Sequence, residues 1–446
     1  MIYKSTIIGR IPENWKTISV EDLIKYDILE QPLDGNHGDR HPKQNDFGKE
    51  GIPFITASDI TTDGKLDFKQ CKLLKKDKVK DLRKGFSKEG DVLLTHKGTL
   101  GRSVVVKNLL TKYIILSPQV TYYRIKNKNE LNNIYLKYYF TYDNFKKLFI
   151  SWGGSGSTRL YIGINAQRKL PVIVPSIEEQ EKIASILSSL DNKIELNSEI
   201  NKKLEQIAQA IFKHWFIDFE FPNENGEPYK SSGGEMIESE LGLIPKEWNV
   251  RSLNQIANFL NGLAMQKYRP KNDESHLPVL KIKELKIGKT SKNSDKCSVN
   301  IDPKYIVDNG DVVFSWSGSL EVKLWCGNKA GLNQHLFKVT SANYPKWFYY
   351  YWTKHHIGDF RRIAEDKTTT MGHIKREHLK KAKVSDPGKI FFEKFDKVFN
   401  GLIDLYINKE KEIKYLSLIR DILLPKLMSG EIRVPTNSKV LISKNN

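Results

Sequence analysis

Two long stretches of the chain repeat apolar residues at steps of three and four positions, which is typical of a coiled-coil helix. The apolar positions of the first stretch, residues 176–218, are Ile183, Leu187, Leu190, Ile194, Leu204 and Ile211. Those of the second stretch, residues 388–430, are Phe399, Leu402, Tyr406, Leu416 and Leu423. Each pattern predicts a helix about 60 Å long. The simplest packing lays the two helices antiparallel on each other.

The rest of the chain carries short β-branched and aromatic runs between turn residues, which predict strands. In residues 1–175 such runs occupy 92–95, 103–106, 113–116 and 119–125, and a pattern over 134–149 predicts one amphipathic helix. Residues 219–387 repeat this character after a polar stretch, 219–240, that we interpret as a linker. Residues 431–446 form a polar tail.

The sequence also contains an internal repeat. Ile11-Pro12-Glu13-Asn14-Trp15 returns as Ile244-Pro245-Lys246-Glu247-Trp248, and Gly90-Asp91-Val92 returns as Gly310-Asp311-Val312. The loops between these landmarks differ in length and chemistry. We therefore predict an α+β protein in which two mixed α/β domains are joined by two long antiparallel helices, with a pseudo-twofold internal repeat.

The amino-acid composition restricts the classes of molecule that the protein is expected to bind. The formal net charge is +19, which favours nucleic acid or an anionic membrane surface. No apolar run approaches the roughly 20 residues of a spanning helix, and the N-terminus lacks a signal-peptide core. We therefore expect a cytoplasmic protein that makes no use of a membrane. The three cysteines, Cys71, Cys297 and Cys326, are widely spaced and indicate neither a disulfide framework nor a zinc site.

Motifs of catalysis are not found in the sequence. It has no phosphate-binding loop, no Gly-x-Gly-x-x-Gly fingerprint and no Asn-Pro-Pro-aromatic motif of an adenine methyltransferase. We expect no enzymatic activity, no bound metal and no cofactor in this chain.

Several motifs together resemble the specificity subunit of type I restriction-modification systems. These are the twin Ile-Pro-x-x-Trp and Gly-Asp-Val segments, the Pro175-Ser176-Ile177-Glu178-Glu179-Gln180 helix start, and the ending Leu424-Pro425-Lys426-Leu427-Met428-Ser429-Gly430-Glu431-Ile432. The resemblance implies a non-catalytic reader of double-stranded DNA. Each of two target-recognition domains would read half of a bipartite, asymmetric site, and the helices would set the spacer. The helices would also dock two methyltransferase subunits, which bind S-adenosylmethionine, while two motor-nuclease subunits would join with ATP and magnesium.

Candidate DNA contacts follow the Gly-Asp-Val strands, in segments that we expect to be loops. In the first copy they are Thr95, His96, Lys97, Thr99 and Arg102, and in the second Ser315, Trp316, Ser317, Ser319 and Lys323. Another polar stretch supplies further candidates, which are Asn36, His37, Asp39, Arg40 and Lys43 in the first copy and Gln266, Lys267, Tyr268, Arg269 and Lys271 in the second. Arg can read guanine bidentately, and Lys and Arg bind phosphates. The alternative is that these are ordinary turns with solvated basic residues.

Two other functions stay open at this point. The chain could be a coiled-coil adaptor that binds nucleic acid without sequence preference. It could also be a nuclease or methyltransferase with an unrecognised site, in which case the purified chain alone would cleave or methylate DNA.

Overall fold

The computed structural model describes residues 2–153, 160–272, 274–366 and 372–435, so residues 436–446 of the predicted tail lie outside it. The chain divides into two compact units. The first unit comprises Met1–Lys193 and Leu416–Asn446, and the second comprises Ile194–Tyr415. The two long helices, Ile177–Phe216 and Lys389–Met428, each contribute to both units. The sequence-based division, which set each helix apart as its own segment, differs from this one.

The first unit is built from short strands and short helices. Its helices outside the long pair are Val20–Lys25, Lys76–Val79, Asn133–Thr141, Asp143–Gly153 and Ile164–Arg168. Its strands are Tyr3–Thr6, Gly9–Pro12, Lys16–Ser19, Leu33–Asp34, Phe47–Gly48, Ile52–Ile55, Lys72–Leu74, Phe86–Ser87, Val92–Lys97, Thr99–Val105, Ile114–Leu116, Val120–Tyr123 and Pro171–Val174.

The second unit has the same kinds of element in a similar order, but its described residues lack an equivalent of the strand Phe47–Gly48, and one short helix comes earlier. Its shorter helices are Leu253–Ile256, Ile282–Ile287, Lys346–His355, Ile357–Glu365 and Arg376–Lys381. Its strands are Met236–Ser239, Gly242–Pro245, Asn249–Ser252, Asn258–Asn261, His276–Leu280, Lys296–Ser298, Ile306–Val307, Val312–Ser315, Val322–Leu324, Ala330–Leu332, Leu336–Thr340 and Lys383–Asp386.

Two sheets position the functional surface of the first unit. In the four-stranded antiparallel sheet, Val92–Lys97 lies between Thr99–Val105 and Val120–Tyr123, and Leu33–Asp34 forms the edge. The five-stranded sheet pairs Ile114–Leu116 in parallel with Ile52–Ile55. Residues 117–119 carry the chain from one sheet directly into the other.

The second unit repeats this topology. Its four-stranded sheet has the order Asn258–Asn261, Leu336–Thr340, Val312–Ser315, Val322–Leu324. In its other sheet Ala330–Leu332 pairs in parallel with His276–Leu280. One glycine in each copy makes the close approach of the two sheets possible. A Cβ at Gly35 would lie 1.9 Å from the Leu116 carbonyl oxygen, and one at Gly262 would lie 2.3 Å from that of Leu332.

Within each unit the long helices run antiparallel. In the first unit Asp191 binds Arg420 and Glu179 binds Arg433, and in the second Asn201 binds Glu410 at 2.7 Å. Ile183, Leu187, Leu204 and Phe399 are buried as expected from the pattern. In the second unit the predicted stripe holds only in part. Leu204 and Phe399 are buried, but from Leu204 and from Phe395 onward the buried apolar positions step by four. They are Leu204, Ala208, Phe212 and Phe216 on one helix and Phe395, Phe399, Ile403 and Ile407 on the other.

Several predicted seam residues therefore lie at the margin of the core. Ile211, Leu402, Tyr406 and Leu423 are partly buried and pack beside the core clusters. Leu190, Ile194 and Leu416 are half-buried. The buried stripe of the second unit carries large aromatic side chains, among which Phe212 contacts Phe216, Tyr351, Trp352 and Phe399.

Two further sequence-based assignments are wrong. The expected helix over 134–149 is two helices, because Tyr142 adopts an extended conformation (ψ 131°) between Asn133–Thr141 and Asp143–Gly153. The expected linker 219–240 is folded. Phe219 and Phe221 are buried, and Met236–Ser239 pairs with Gly242–Pro245 as a hairpin, so the second copy begins before Leu241.

Candidate nucleic-acid interface

A cleft of about 690 Å³ opens where the two sheets of the first unit meet. It collects side chains from distant parts of the sequence, among them His37, His41, Thr56, Ser58, Lys97 and Gln119. Gln119 lies in the turn that connects the two sheets, and Thr56 follows the strand Ile52–Ile55. The polar groups come together because parallel pairing of Ile52–Ile55 with Ile114–Leu116 brings the ends of both strands to one edge.

Hydrogen bonds fix the polarity of several groups in this cleft. Gln119 Oε1 accepts from the backbone N–H of Ala57 at 3.2 Å, so the amide N–H groups of Gln119 remain for other partners. Thr56 donates its hydroxyl to Asp59 Oδ2 at 2.6 Å. Ser58 therefore donates to Thr56 across their 2.7 Å contact and keeps its own lone pairs available.

The second unit has a cleft of about 910 Å³ in the equivalent place. It is lined by side chains that include Gln266, Arg269, Lys281, Lys283, Gln334 and His335. Lys281 follows the strand His276–Leu280, as Thr56 follows Ile52–Ile55, and Gln334 and His335 lie between the strands Ala330–Leu332 and Leu336–Thr340. The same elements of the repeat therefore build both clefts.

The two clefts differ in charge. Five basic side chains line the second cleft, namely Arg269, Lys281, Lys283, Lys292 and Lys296. Asp295 is the acidic residue in its lining. The first cleft has Lys72 and Lys97, two histidines, and Asp59. A basic groove attracts phosphates, while amides, hydroxyls and imidazoles can discriminate base edges.

Four of the candidate residues predicted from sequence line these clefts, His37 and Lys97 in the first and Gln266 and Arg269 in the second. Arg40, Lys43 and Lys267 lie nearby on short helical turns, with Lys43 and Lys267 exposed. Thr99 and Arg102 line a separate cleft of the first unit, and Arg102 donates to the Ile60 carbonyl at 2.7 Å.

The predicted loop after the first Gly-Asp-Val strand is a hairpin of Val92–Lys97 and Thr99–Val105. Thr95 and His96 are fully buried in it. Thr95 accepts a hydrogen bond from the Arg102 N–H, and His96 Nδ1 lies 2.9 Å from the Ile162 carbonyl. Neither side chain offers a surface to a ligand, because the hairpin continues the sheet where the sequence pattern indicated a loop.

Most side chains of the second candidate segment are also buried or hydrogen-bonded within the protein. Ser315 and Ser317 are buried, with Ser315 donating to Ser319 O and Ser317 Oγ 2.9 Å from His335 Nδ1. Trp316 donates through Nε1 to Asn261 Oδ1 at 2.9 Å. Lys323 donates to the Lys286 carbonyl, and burial lowers its pKa. Ser319 is exposed but lies outside the second cleft.

Sequence reasoning did not single out Thr56, Ser58 and Gln119, nor Lys281, Lys283 and Gln334. One signal was present in both copies: a short polar segment between two apolar runs, Ser117-Pro118-Gln119 and Asn333-Gln334-His335. Their chemistry differs between copies while the flanking strands match.

A sequence model of the family described as "Type I restriction modification DNA specificity domain" matches residues 12–206 and 245–415, more than half of the chain. The chain belongs to this family. The two matched segments coincide with the two copies and with most of the long helices, so the repeat seen in the sequence is a repeat of the family's domain.

Two relatives that this chain matches over most of their length are named as specificity subunits of type I restriction enzymes. The chain is 27% identical over 448 residues to the type I restriction enzyme MjaIX specificity subunit of Methanocaldococcus jannaschii, covering 97% of this chain and 96% of the relative. It is 24% identical to the HindI specificity subunit of Haemophilus influenzae, covering 85% and 94%. A crystal structure of the S subunit from M. genitalium matches with a TM-score of 0.52 and 15% identity over 93% of this chain and 96% of that one, which shows the same fold.

Two kinds of feature are absent from residues 2–153, 160–272, 274–366 and 372–435. These ranges contain no helix that is both long and apolar enough to cross a membrane. Within the same ranges, no three His, Cys, Asp or Glu side chains form a group that could hold a metal ion.

Proposed function

We propose that each unit reads one half of a bipartite, asymmetric DNA site and that the chain itself is non-catalytic. The observation that carries this proposal is the pair of equivalent clefts with unlike linings. Equivalent strands and turns build both, yet the first presents two lysines among histidines, hydroxyls and amides, while the second presents five basic side chains beside its amides and one histidine. A shared frame with different recognition chemistry fits two different half-sites.

The division of labour within a cleft follows from general chemistry. Lysines at the margins neutralise phosphates and make binding fall steeply with salt. Base discrimination needs donors and acceptors of fixed polarity in a groove, which Gln119 and Arg269 can supply. Arg269 is exposed and has the geometry to contact guanine with two N–H groups.

The long helices would set the unspecified spacer between the half-sites. Each has 40 residues, of which one part belongs to the first unit and the other part to the second. Residues inserted into both helices would therefore change the length of the element that the two units share. An insertion of one heptad in each helix should lengthen the tolerated spacer and leave both half-sites unchanged. An unchanged spacer would exclude the helices as the measuring element.

The helices would also dock methyltransferase subunits. Leu418, Ile419 and Ile422 are 56%, 44% and 49% exposed on one helical face of the first unit, and a contiguous exposed apolar patch is typical of an interaction surface. We propose two methyltransferase subunits, which would bind S-adenosylmethionine, and two motor-nuclease subunits, which would use ATP and magnesium. This chain would hold no cofactor of its own.

The docking surface can be tested with Ile422→Asp, which places a charge on that face. We expect the variant to lose co-purification with the methyltransferase subunit. Leu110→Asp, at a fully exposed position of the same unit outside the helices, is the matched control and should bind normally. Equal binding by both variants would place the docking surface elsewhere.

The reading function can be tested by footprinting. The full chain with its methyltransferase subunit is bound to a library of random duplexes, and protected sequences are recovered. We expect two short motifs at a fixed separation and a steep loss of affinity with salt. One contiguous motif would contradict two reading domains, and protection without any motif would favour the adaptor hypothesis.

A further inference from the structure

The first unit contains a buried carboxylate that holds one histidine in place at the cleft. Asp34 is 1% exposed, and its Oδ2 lies 2.6 Å from Nε2 of His37. Lys84 donates to the other oxygen, Oδ1. Burial acts to raise the pKa of Asp34, but the hydrogen bonds from Lys84 and His37 outweigh it, and the pKa lies below its ordinary value of 3.8. The group is therefore a carboxylate at neutral pH.

An ionised carboxylate only accepts hydrogen bonds, and this fixes the tautomer of His37. Nε2 must carry a hydrogen, so in the neutral ring Nδ1 is an acceptor. The His37 side chain is 45% exposed and lines the first cleft. Among the residues that the structure describes, none forms a hydrogen bond with Nδ1 of this ring.

The neighbouring His96 does not compete for the carboxylate. Its Nδ1 lies 2.9 Å from the Ile162 carbonyl, which only accepts, so that nitrogen carries the hydrogen. Burial lowers the pKa of His96 to about 4, which leaves its Nε2 without a hydrogen at neutral pH. This Nε2 lies 3.9 Å from Asp34 Oδ2, beyond hydrogen-bond distance.

The backbone that leads into His37 is anchored at two successive residues. Asn36 donates through its amide to the Lys84 carbonyl at 2.6 Å and accepts from the Arg83 N–H at 3.0 Å. Gly35 packs directly against the backbone of Leu116. A recognition group on such a fixed segment has a defined position before a ligand arrives, which limits the entropy lost on binding.

The second unit lacks this device at the equivalent positions. Asp34 pairs with Thr121 on the edge of its sheet, and Asn261 pairs with Phe337 on the corresponding edge. Asn261 accepts from Trp316, and Ala264 occupies the position of His37. A group that is present in only one of two repeated clefts fits a role in discrimination, because a scaffold role would be needed in both.

We propose that His37 is a specificity-determining residue whose Nδ1 accepts a hydrogen bond from the exocyclic amino group of an adenine or cytosine in the half-site of the first unit. This rests on the proposed function, in which the cleft meets DNA. On the major-groove edge, adenine N6 and cytosine N4 donate, whereas thymine O4 and guanine O6 and N7 accept and would face a lone pair. Asp34 is the positioning residue that keeps the acceptor at Nδ1.

The test removes the amino group and the imidazole separately and together. The full chain with its methyltransferase subunit is bound to duplexes in which each adenine of the two motifs is replaced by purine and each cytosine by 2-pyrimidinone. The assay is run at a pH of about 8, above the ordinary titration range of imidazole. Wild type should lose about tenfold or more in affinity at one position of one half-site.

In His37→Phe, which keeps a ring at this half-exposed position, the same replacement should cost nothing, and every other position should behave as in wild type. His41→Phe changes the other histidine of the cleft and is the matched control, so it should retain the wild-type loss. Asp34→Asn, which allows the other tautomer, should reduce the discrimination while binding to unrelated duplex stays unchanged.

Two results would overturn the proposal while the reading function stands. One is an equal loss in His37→Phe and wild type, and the other is a wild type that is insensitive to every missing amino group in both half-sites. A footprint without two motifs would instead contradict the proposed function, and this proposal with it.

Discussion

Both units have a tryptophan at the same position of the repeat, but charged side chains surround it in the first unit and aromatic side chains in the second. In the first unit Trp15 donates through Nε1 to Glu179 at 3.1 Å. Arg433 binds the same carboxylate and lies over the indole ring, 5.6 Å from its centre. Chain segments from the two ends of the sequence thus meet at one charged junction.

In the second unit the corresponding residues are aromatic. Phe221, at the position of Arg433, stacks on Trp248 with ring centres 5.0 Å apart. Phe391, at the position of Glu179, contacts the same indole at 6.1 Å. Trp248 Nε1 has no hydrogen-bond partner among the residues described. The shape of the repeat is therefore kept while its chemistry is free to change, and the two clefts follow the same rule.

The largest expected effect tests whether the aromatic junction contributes more stability than the charged one. Phe221→Ala should destabilise the second unit by about 3–5 kcal/mol, because a buried ring is lost. Arg433→Ala should cost the first unit about 1–3 kcal/mol, because Glu179 keeps its hydrogen bond from Trp15. Hydrogen exchange read separately for peptides of each unit measures both. Equal costs would contradict the comparison.

A second contrast concerns the Gly-Asp turns. The Asp91 side chain is 1% exposed and binds Arg124, whereas the Asp311 side chain is 26% exposed and binds Lys338. Arg124→Ala should cost about 3 kcal/mol, since it leaves a buried carboxylate. Lys338→Ala should cost at most about 1 kcal/mol. Urea unfolding of the two variants provides the measurement, and a reversed order would be inconsistent with these burials.

Much of the scaffold was predictable because its signals are local. The strands near Val92, Ile114 and Val120 appear as short apolar runs, and Gly430, with a φ of 69°, ends the second long helix where expected. The clefts were not predictable, since parallel pairing of separate strands assembles them. The burial of His96 also depends on a distant segment, Tyr161–Ile162, that no local pattern ties to it.

A smaller effect is expected on the stability of the first unit at acidic pH. Burial acts to raise the pKa of Asp191, but Lys137, Tyr138 and Arg420 outweigh it and the pKa is lowered from 3.8. Because the folded value is below the unfolded one, this carboxylate stabilises the first unit above about pH 4, and the contribution is lost as pH falls through the folded value. The equivalent residue of the second unit, Ile403, does not titrate.

The measurement is the free energy of unfolding of the first unit against pH. Asp191→Asn should be less stable than wild type at pH about 6, and the two curves should converge as pH falls below about 4. Asp302→Asn, which removes a half-exposed partner of Lys304 in the second unit, should change little and serves as the control. Parallel curves for Asp191→Asn and wild type would contradict the assignment.

The smallest expected effect is on the salt dependence of DNA binding. Lys281→Ala and Lys283→Ala should each reduce the slope of log affinity against log salt by about 0.9 if the side chain contacts a phosphate. Thr56 and Ser58 occupy the equivalent places in the first cleft, and their alanine variants should leave the slope unchanged. If none of the four alanine variants changes the slope, Lys281 and Lys283 of the second cleft do not contact phosphates.

The most direct test of the account places the recognition segment of the second unit in both copies. Residues 253–386 replace residues 20–174, and the methylated adenines are sequenced in cells that carry the methyltransferase subunit. If each unit reads its own half-site, both halves of the new motif should match the half-site of the present second unit. Retention of the original first half-site would contradict the claim that the two clefts read DNA independently.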